Sequence, residues 1–143
     1  MRKTLQSDVT TTSTSYSDIT GLSFPVTSGR TYRFKFLIYY TVAATADGTG
    51  WSINGPSSPT ALMYQVQKPL ASAATGYIML NGSTAYGADT ASTATPATTG
   101  NLAIIEGIIK PSADGTVAGR FLTEASGSLT AKAGSTVEYH EVL

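Results

Sequence analysis

The side chains best suited to chemistry in this chain are few and widely spaced. The single histidine, His140, stands two residues after Glu138 in the run Val137-Glu138-Tyr139-His140-Glu141-Val142. In an extended strand that spacing puts the carboxylate and the imidazole on one face, with Val137 and Tyr139 on the other. Such a pair is half of a hydrolytic constellation, but the Gly-x-Ser-x-Gly elbow that would supply the nucleophile is absent. The nearest string, Gly50-Trp51-Ser52-Ile53-Asn54-Gly55, carries Asn where the second Gly belongs. His140 therefore reads as a solvent-facing or interface histidine.

Glu106 interrupts the apolar run Leu102-Ala103-Ile104-Ile105-Glu106-Gly107-Ile108-Ile109. A carboxylate in such surroundings needs a partner or an edge, because burying it unpaired costs several kcal/mol. Glycosidase chemistry would pair it with a second carboxylate, for which Glu124 is the available mate. An ion pair with Lys35, Arg33 or Arg120, within a sheet or between subunits, is the preferred reading. One His and no Cys cannot supply a usual zinc set. Asp47 and Asp114 each precede Gly without the alternating Asp/Asn pattern of a calcium loop, so they read as turn formers. Asn81-Gly82-Ser83 matches a glycosylation sequon and reads as an Asn-Gly turn. Trp51 and the eight Tyr could stack on sugars or anchor a protein interface, and their spacing favours neither. No catalytic residue, metal site or cofactor is expected.

Bulk properties point the same way. The length of 143 residues fits one domain with a real core. The absence of Cys leaves packing and backbone hydrogen bonds to hold the fold. Nine basic and nine acidic residues cancel, so the field that gathers nucleic acid or anionic lipid is missing. No apolar run approaches the roughly 20 residues of a membrane span, and Met1-Arg2-Lys3 leads into Thr and Ser, so export is not expected. Charged residues make up 13% of the chain, against about 25% in ordinary soluble domains. A surface so weakly charged favours association.

The elements that must position these groups are strands. Tyr32, Phe34, Phe36, Ile38, Tyr40 and Val42 fall on every second position, with Arg33 and Lys35 between them. From Leu37 and Tyr39 onward the second face also turns apolar, so a cover of protein is expected there, from another sheet or another subunit. Further strands are expected at residues 16–26, 51–54, 62–66, 76–80, 102–109, 117–124 and 137–143, with a weaker one at 129–132. Ala46-Asp47-Gly48-Thr49 recurs as Ala113-Asp114-Gly115-Thr116 and reads as shared hairpin-turn chemistry. Residues 83–100 form a low-complexity tract, expected as a mobile loop or a segment ordered against a neighbour. Residues 1–15 are expected to be an extended arm or an edge strand, and residues 16–143 a single domain. No window supports a three-turn helix. The fold class is all-β: an antiparallel sandwich or jelly roll, with an open barrel as the alternative.

Asp8-Val9-Thr10-Thr11-Thr12-Ser13-Thr14, Asp18-Ile19-Thr20-Gly21-Leu22-Ser23-Phe24-Pro25-Val26 and Gly29-Arg30-Thr31-Tyr32-Arg33-Phe34 resemble small structural proteins of tailed bacteriophages. The resemblance resumes at Leu102-Ala103-Ile104-Ile105-Glu106-Gly107 and at Ala131-Lys132-Ala133-Gly134-Ser135. It implies a virion component without enzymatic activity, preferentially a capsid decoration (cement) protein, assembled in the host cytoplasm and commonly a homotrimer on the major capsid protein. A tail, fibre or baseplate module binding host glycans is the alternative. On this reading the arm, with Leu5, Val9 and Thr11, adds as a strand to a partner, and Tyr39, Tyr40, Trp51 and Glu106 lie at subunit contacts.

Overall fold

A computed structural model describes residues 1–70 and 77–142, which hold eleven strands and no helix. In chain order they are β1 (Arg2–Thr4), β2 (Val9–Thr11), β3 (Ser17–Val26), β4 (Thr31–Val42), β5 (Thr49–Asn54) and β6 (Ala61–Leu70). β7 (Tyr77–Ser83), β8 (Asn101–Lys110), β9 (Gly115–Thr123), β10 (Leu129–Ala131) and β11 (Thr136–Val142) complete the set. The large sheet runs β1-β11-β4-β8-β6-β7, with β10 on the far half of β4 and β2 outside β10; the small sheet runs β3-β9-β5. Every pairing is antiparallel, and the two sheets form an unequal sandwich.

Alternation in β4 explains the core. Tyr32, Phe34, Phe36, Ile38, Tyr40 and Val42 are all buried, facing the small sheet. Phe24 of β3 sits over Phe34 and Phe36 with centroids 5.9 and 6.1 Å apart, and stacks on Tyr139 at 4.6 Å. Trp51 of β5 fills the other end, 4.7 Å from Tyr40 and 6.2 Å from Phe121, and its indole N–H donates to Thr49 Oγ1 at 2.9 Å. Aromatic pairs in these tilted and offset geometries contribute about 0.5–1.5 kcal/mol each beyond their buried area. Gly107 lets β6 and β8 approach. A Cβ there would lie 2.5 Å from Tyr64 Cβ and overlap the Met63 carbonyl.

Several expectations need correction. Residues 1–15 do not stand off as a free arm. β1 pairs with β11 and β2 with β10, and Leu5 is buried, its N–H donating to Ser135 O and its carbonyl accepting from Gly134 N. Leu5 also packs over Gly21, whose φ of +93° accompanies the irregular register between Asp18 and Ser23 in β3. Both are edge strands, each paired on one side within the chain, which is the second of the two forms expected for this segment. The Ala-Asp-Gly-Thr repeats are not hairpin turns: each lies where the chain crosses from the large sheet to the small one, between β4 and β5 and between β8 and β9. Asn81-Gly82 is not a turn either, for both residues lie inside β7. Residues 84–100 are ordered against the body of the same chain, as a strap across β5. Ser92 N and Thr95 N donate to Thr49 O and Thr45 O, while Ser92 Oγ accepts from Thr49 N.

Candidate functional site

Outward positions of the large sheet carry the most unusual surface of the molecule. The register aligns them in rows across the strands. One row holds Tyr39 and Leu102, continued by Pro69 paired with Ile78; the next holds Leu37, Ile104, Gln67 and Leu80. A third is charged and amide-bearing: Arg2, Glu138, Lys35, Glu106 and Gln65. The fourth holds His140, Arg33, Ile108 and Met63. Leu37, Tyr39, Met63, Ile78, Leu80, Leu102 and Ile108 are each at least 40% exposed. The second face of β4 is thus apolar, as its sequence indicates, and the described residues leave it largely exposed.

The charged row alternates in sign across four strands. Lys35 Nζ lies 3.8 Å from Glu106 Oε2, and Gln65 Nε2 donates to Glu106 Oε1 at 2.9 Å. The partner of Glu106 is thus Lys35, among those expected from sequence; Arg120 is engaged elsewhere, 2.9 Å from Asp18. At 49% and 41% side-chain exposure the Lys35–Glu106 pair is worth at most about 0.5 kcal/mol to the single chain. Its consequence lies in the charge pattern it presents outward.

His140 and Glu138 share a face, in the register and on the groove that also holds Arg33, Lys35 and Glu106. No Ser, Thr or Cys among the described residues lines that groove of about 610 Å³. Among the described residues no three His, Asp or Glu side chains converge on a point that could hold a metal.

The residues expected at subunit contacts divide by burial. Tyr39 and Glu106 lie on the outer face, and Val9 is half-buried on an edge strand. Leu5, Thr11, Tyr40 and Trp51 are buried and cannot meet a partner. The reason for Tyr40 is the alternation itself, since it lies on the inward set of β4 while Tyr39 points outward. Trp51 is covered on one side by the aromatic core and on the other by the strap, so it is not available to stack on a sugar. Burial pushes the Tyr40 phenol up to about 12.

The strap is held by a second cluster that the sequence does not reveal. Lys68 Nζ donates to Asp89 Oδ2 and to Thr90 O, both at 2.5 Å, and Asn81 Nδ2 donates to Asp89 Oδ1 at 2.6 Å. Asp89 Oδ2 also accepts from Trp51 N at 2.9 Å, and its main-chain carbonyl accepts from Tyr16 Oη at 2.7 Å. The Lys68 and Asp89 side chains are 0% and 1% exposed. Burial holds the Lys68 amine below its usual range, opposed by the adjacent carboxylate, and burial raises the Tyr16 phenol.

No family model matches the chain, and no curated protein matches it. Among solved structures it is similar to a bacterial lipoprotein from Bacteroides thetaiotaomicron, at 8% identity over 99% of this chain and 87% of that one, with a TM-score of 0.26. It is also similar to structures of infectious bursal disease virus, Gx and Gt strains, at 10% and 13% identity over the whole of this chain, each with a TM-score of 0.26. The chain spans 35% and 37% of those viral chains. Superpositions at that TM-score do not define a shared fold.

Proposed function

We propose that this chain is a structural component of a tailed-phage virion, of the capsid-decoration type, which docks on the major capsid protein at the outer shell and holds neighbouring subunits together. The observation that carries an associating, structural role is the apolar outer face of the large sheet, set in a chain with only 13% charged residues. The resemblance of residues 4–47 and 101–121 to phage structural proteins supports it. The mechanism is mechanical: added protein contacts bury area that must be exposed again before the lattice opens.

The occupant of that face is a second copy of the chain. Five strands about 4.8 Å apart and four outward rows about 6.8 Å apart give a footprint of roughly 650 Å², close to the roughly 800 Å² each partner buries in a stable interface. A two-fold axis lying between β4 and β8 and parallel to them sets Lys35 against the partner's Glu106. The same axis sets Leu37 against the partner's Ile104 and Tyr39 against the partner's Leu102. In these three rows opposite charges and apolar side chains meet their complements, as an isologous contact requires. Such a pair is the unit proposed for this face, in place of the trimer implied by the phage resemblance.

Emptied capsids of a tailed phage that encodes this chain, mixed with purified protein and sedimented, provide the test. Saturable co-sedimentation and shells that open at higher temperature are expected. A protein that stays in the supernatant at every ratio refutes the decoration role.

A further inference from the structure

Lys68, Asn81 and Asp89 are arranged for more than fastening the strap. Lys68 on β6 and Asn81 on β7 project from adjacent antiparallel strands. Val66 is the residue opposite Asn81 and Met79 the one opposite Lys68, so the pair are diagonal neighbours. One carboxylate holds both, with Oδ2 on the amine at 2.5 Å and Oδ1 on the amide nitrogen at 2.6 Å. A single Asp is enough to neutralise a buried lysine. The amide adds something else: it shares one carboxylate, a proton carrier, with the amine, in a site with no water access to the amine.

We infer that Lys68 and Asn81 form an intramolecular isopeptide bond, with Asp89 as the proton-transferring group. In the first step the ammonium passes a proton to Asp89 Oδ2, leaving a neutral amine and a neutral carboxylic acid. Exclusion of water favours this exchange, since two neutral groups are easier to bury than two ions. The amine lone pair then attacks Asn81 Cγ, forming the new C–N bond, and the carbonyl electrons move to Oδ1. Collapse of that intermediate breaks the Cγ–Nδ2 bond. Asp89 protonates the departing nitrogen, which leaves as ammonia. The second proton lost by the lysine nitrogen goes to Asp89, and ammonia carries it out as ammonium. The sum is a lysine ammonium plus a primary amide giving a secondary amide plus ammonium, with no oxidant, reductant or added cofactor.

A covalent tie here would join β6 to β7 across the edge of the large sheet, next to the strap. It suits a protein loaded mechanically, because a hydrogen-bonded edge can unzip and an amide cannot.

Intact-mass spectrometry of the purified, denatured chain tests the inference, together with a peptic digest to locate any link. The expected mass is that of the sequence less one ammonia, with a linked peptide pair carrying Lys68 and Asn81. Lys68→Arg and Asn81→Ala are expected to show the full mass of their sequences, and Asp89→Asn to lose most of the linked form. The unmodified mass in the parent chain, freshly folded and after prolonged incubation, would overturn the inference. Loss of ammonia that persists in Lys68→Arg would also overturn it, because a succinimide at Asn81-Gly82 needs no lysine. Loss of one water with a link to Asp89 would overturn Asn81 as the acceptor.

Discussion

Replacing Leu5 by Ala distinguishes an integrated N-terminus from a free arm. Leu5 is 2% exposed, lies against Gly21 at the bulge of β3, and its backbone is tied to Ser135 and Gly134. Truncating a buried Leu costs the transfer of its lost methyl and methylene groups plus the cavity left behind, about 2–5 kcal/mol. The site is close to the sheet edge, where neighbours can partly close the gap, so about 3 kcal/mol is expected. For a domain of this size each kcal/mol lowers Tm by about 2–4 °C, giving a fall of roughly 6–12 °C. Urea unfolding followed by intrinsic Trp fluorescence should show a lower midpoint with an unchanged slope, since Trp51 reports the same core. A loss below about 0.5 kcal/mol, the range of ordinary surface changes, would refute the packing of residues 1–15 into the sandwich.

Other perturbations read other parts of the fold. Gly107→Ala forces a methyl group into Tyr64 and the Met63 carbonyl, and is expected to give insoluble or largely unfolded protein, checked by expression yield and circular dichroism. Lys68→Met removes the buried nitrogen that Asp89 holds, together with the tie made through it, and is expected to cost about 3–5 kcal/mol in chemical denaturation. Lys132 and the Ala133 N–H both bond Asp8 and hold its carboxyl below the usual range. Its contribution is therefore present above the unfolded value and lost as pH falls through the folded one. The stability difference between the parent chain and Asp8→Asn should accordingly shrink as pH is lowered from about 5 to about 2.

What could be read from the sequence was what obeys a local period. The alternation in β4 shows directly which six side chains face inward, and it separates Tyr40 from Tyr39. The apolar odd positions from Leu37 onward likewise expose the outer face, because a strand with two apolar faces must be covered twice or associate. β5 was expected as a strand at 51–54, but nothing in its sequence showed that both of its faces are covered. It is buried on both sides, one by the core and one by the strap, yet its residues Thr49-Gly50-Trp51-Ser52-Ile53 do not read as a continuous apolar run. The strap itself was hidden for a related reason. Its Ser and Thr hydroxyls and its backbone replace ladder bonds, so a tract with the composition of a loose loop becomes a packed layer through long-range contacts. Lys68, Asn81 and Asp89 are each unremarkable in their local sequence, and only the pairing of β6 with β7 and the path of the strap bring them together. The Ala-Asp-Gly-Thr repeats illustrate the opposite error, in which good local turn chemistry marks a crossing between sheets.

Sedimentation equilibrium of the full chain, from micromolar to millimolar concentration, tests the outer face most directly. A reversible dimer is expected, reduced to monomer by Leu37→Glu with Leu102→Glu while the circular dichroism spectrum stays unchanged. A parent chain that remains monomeric throughout, or an assembly indifferent to both substitutions, would contradict a role for this face in association.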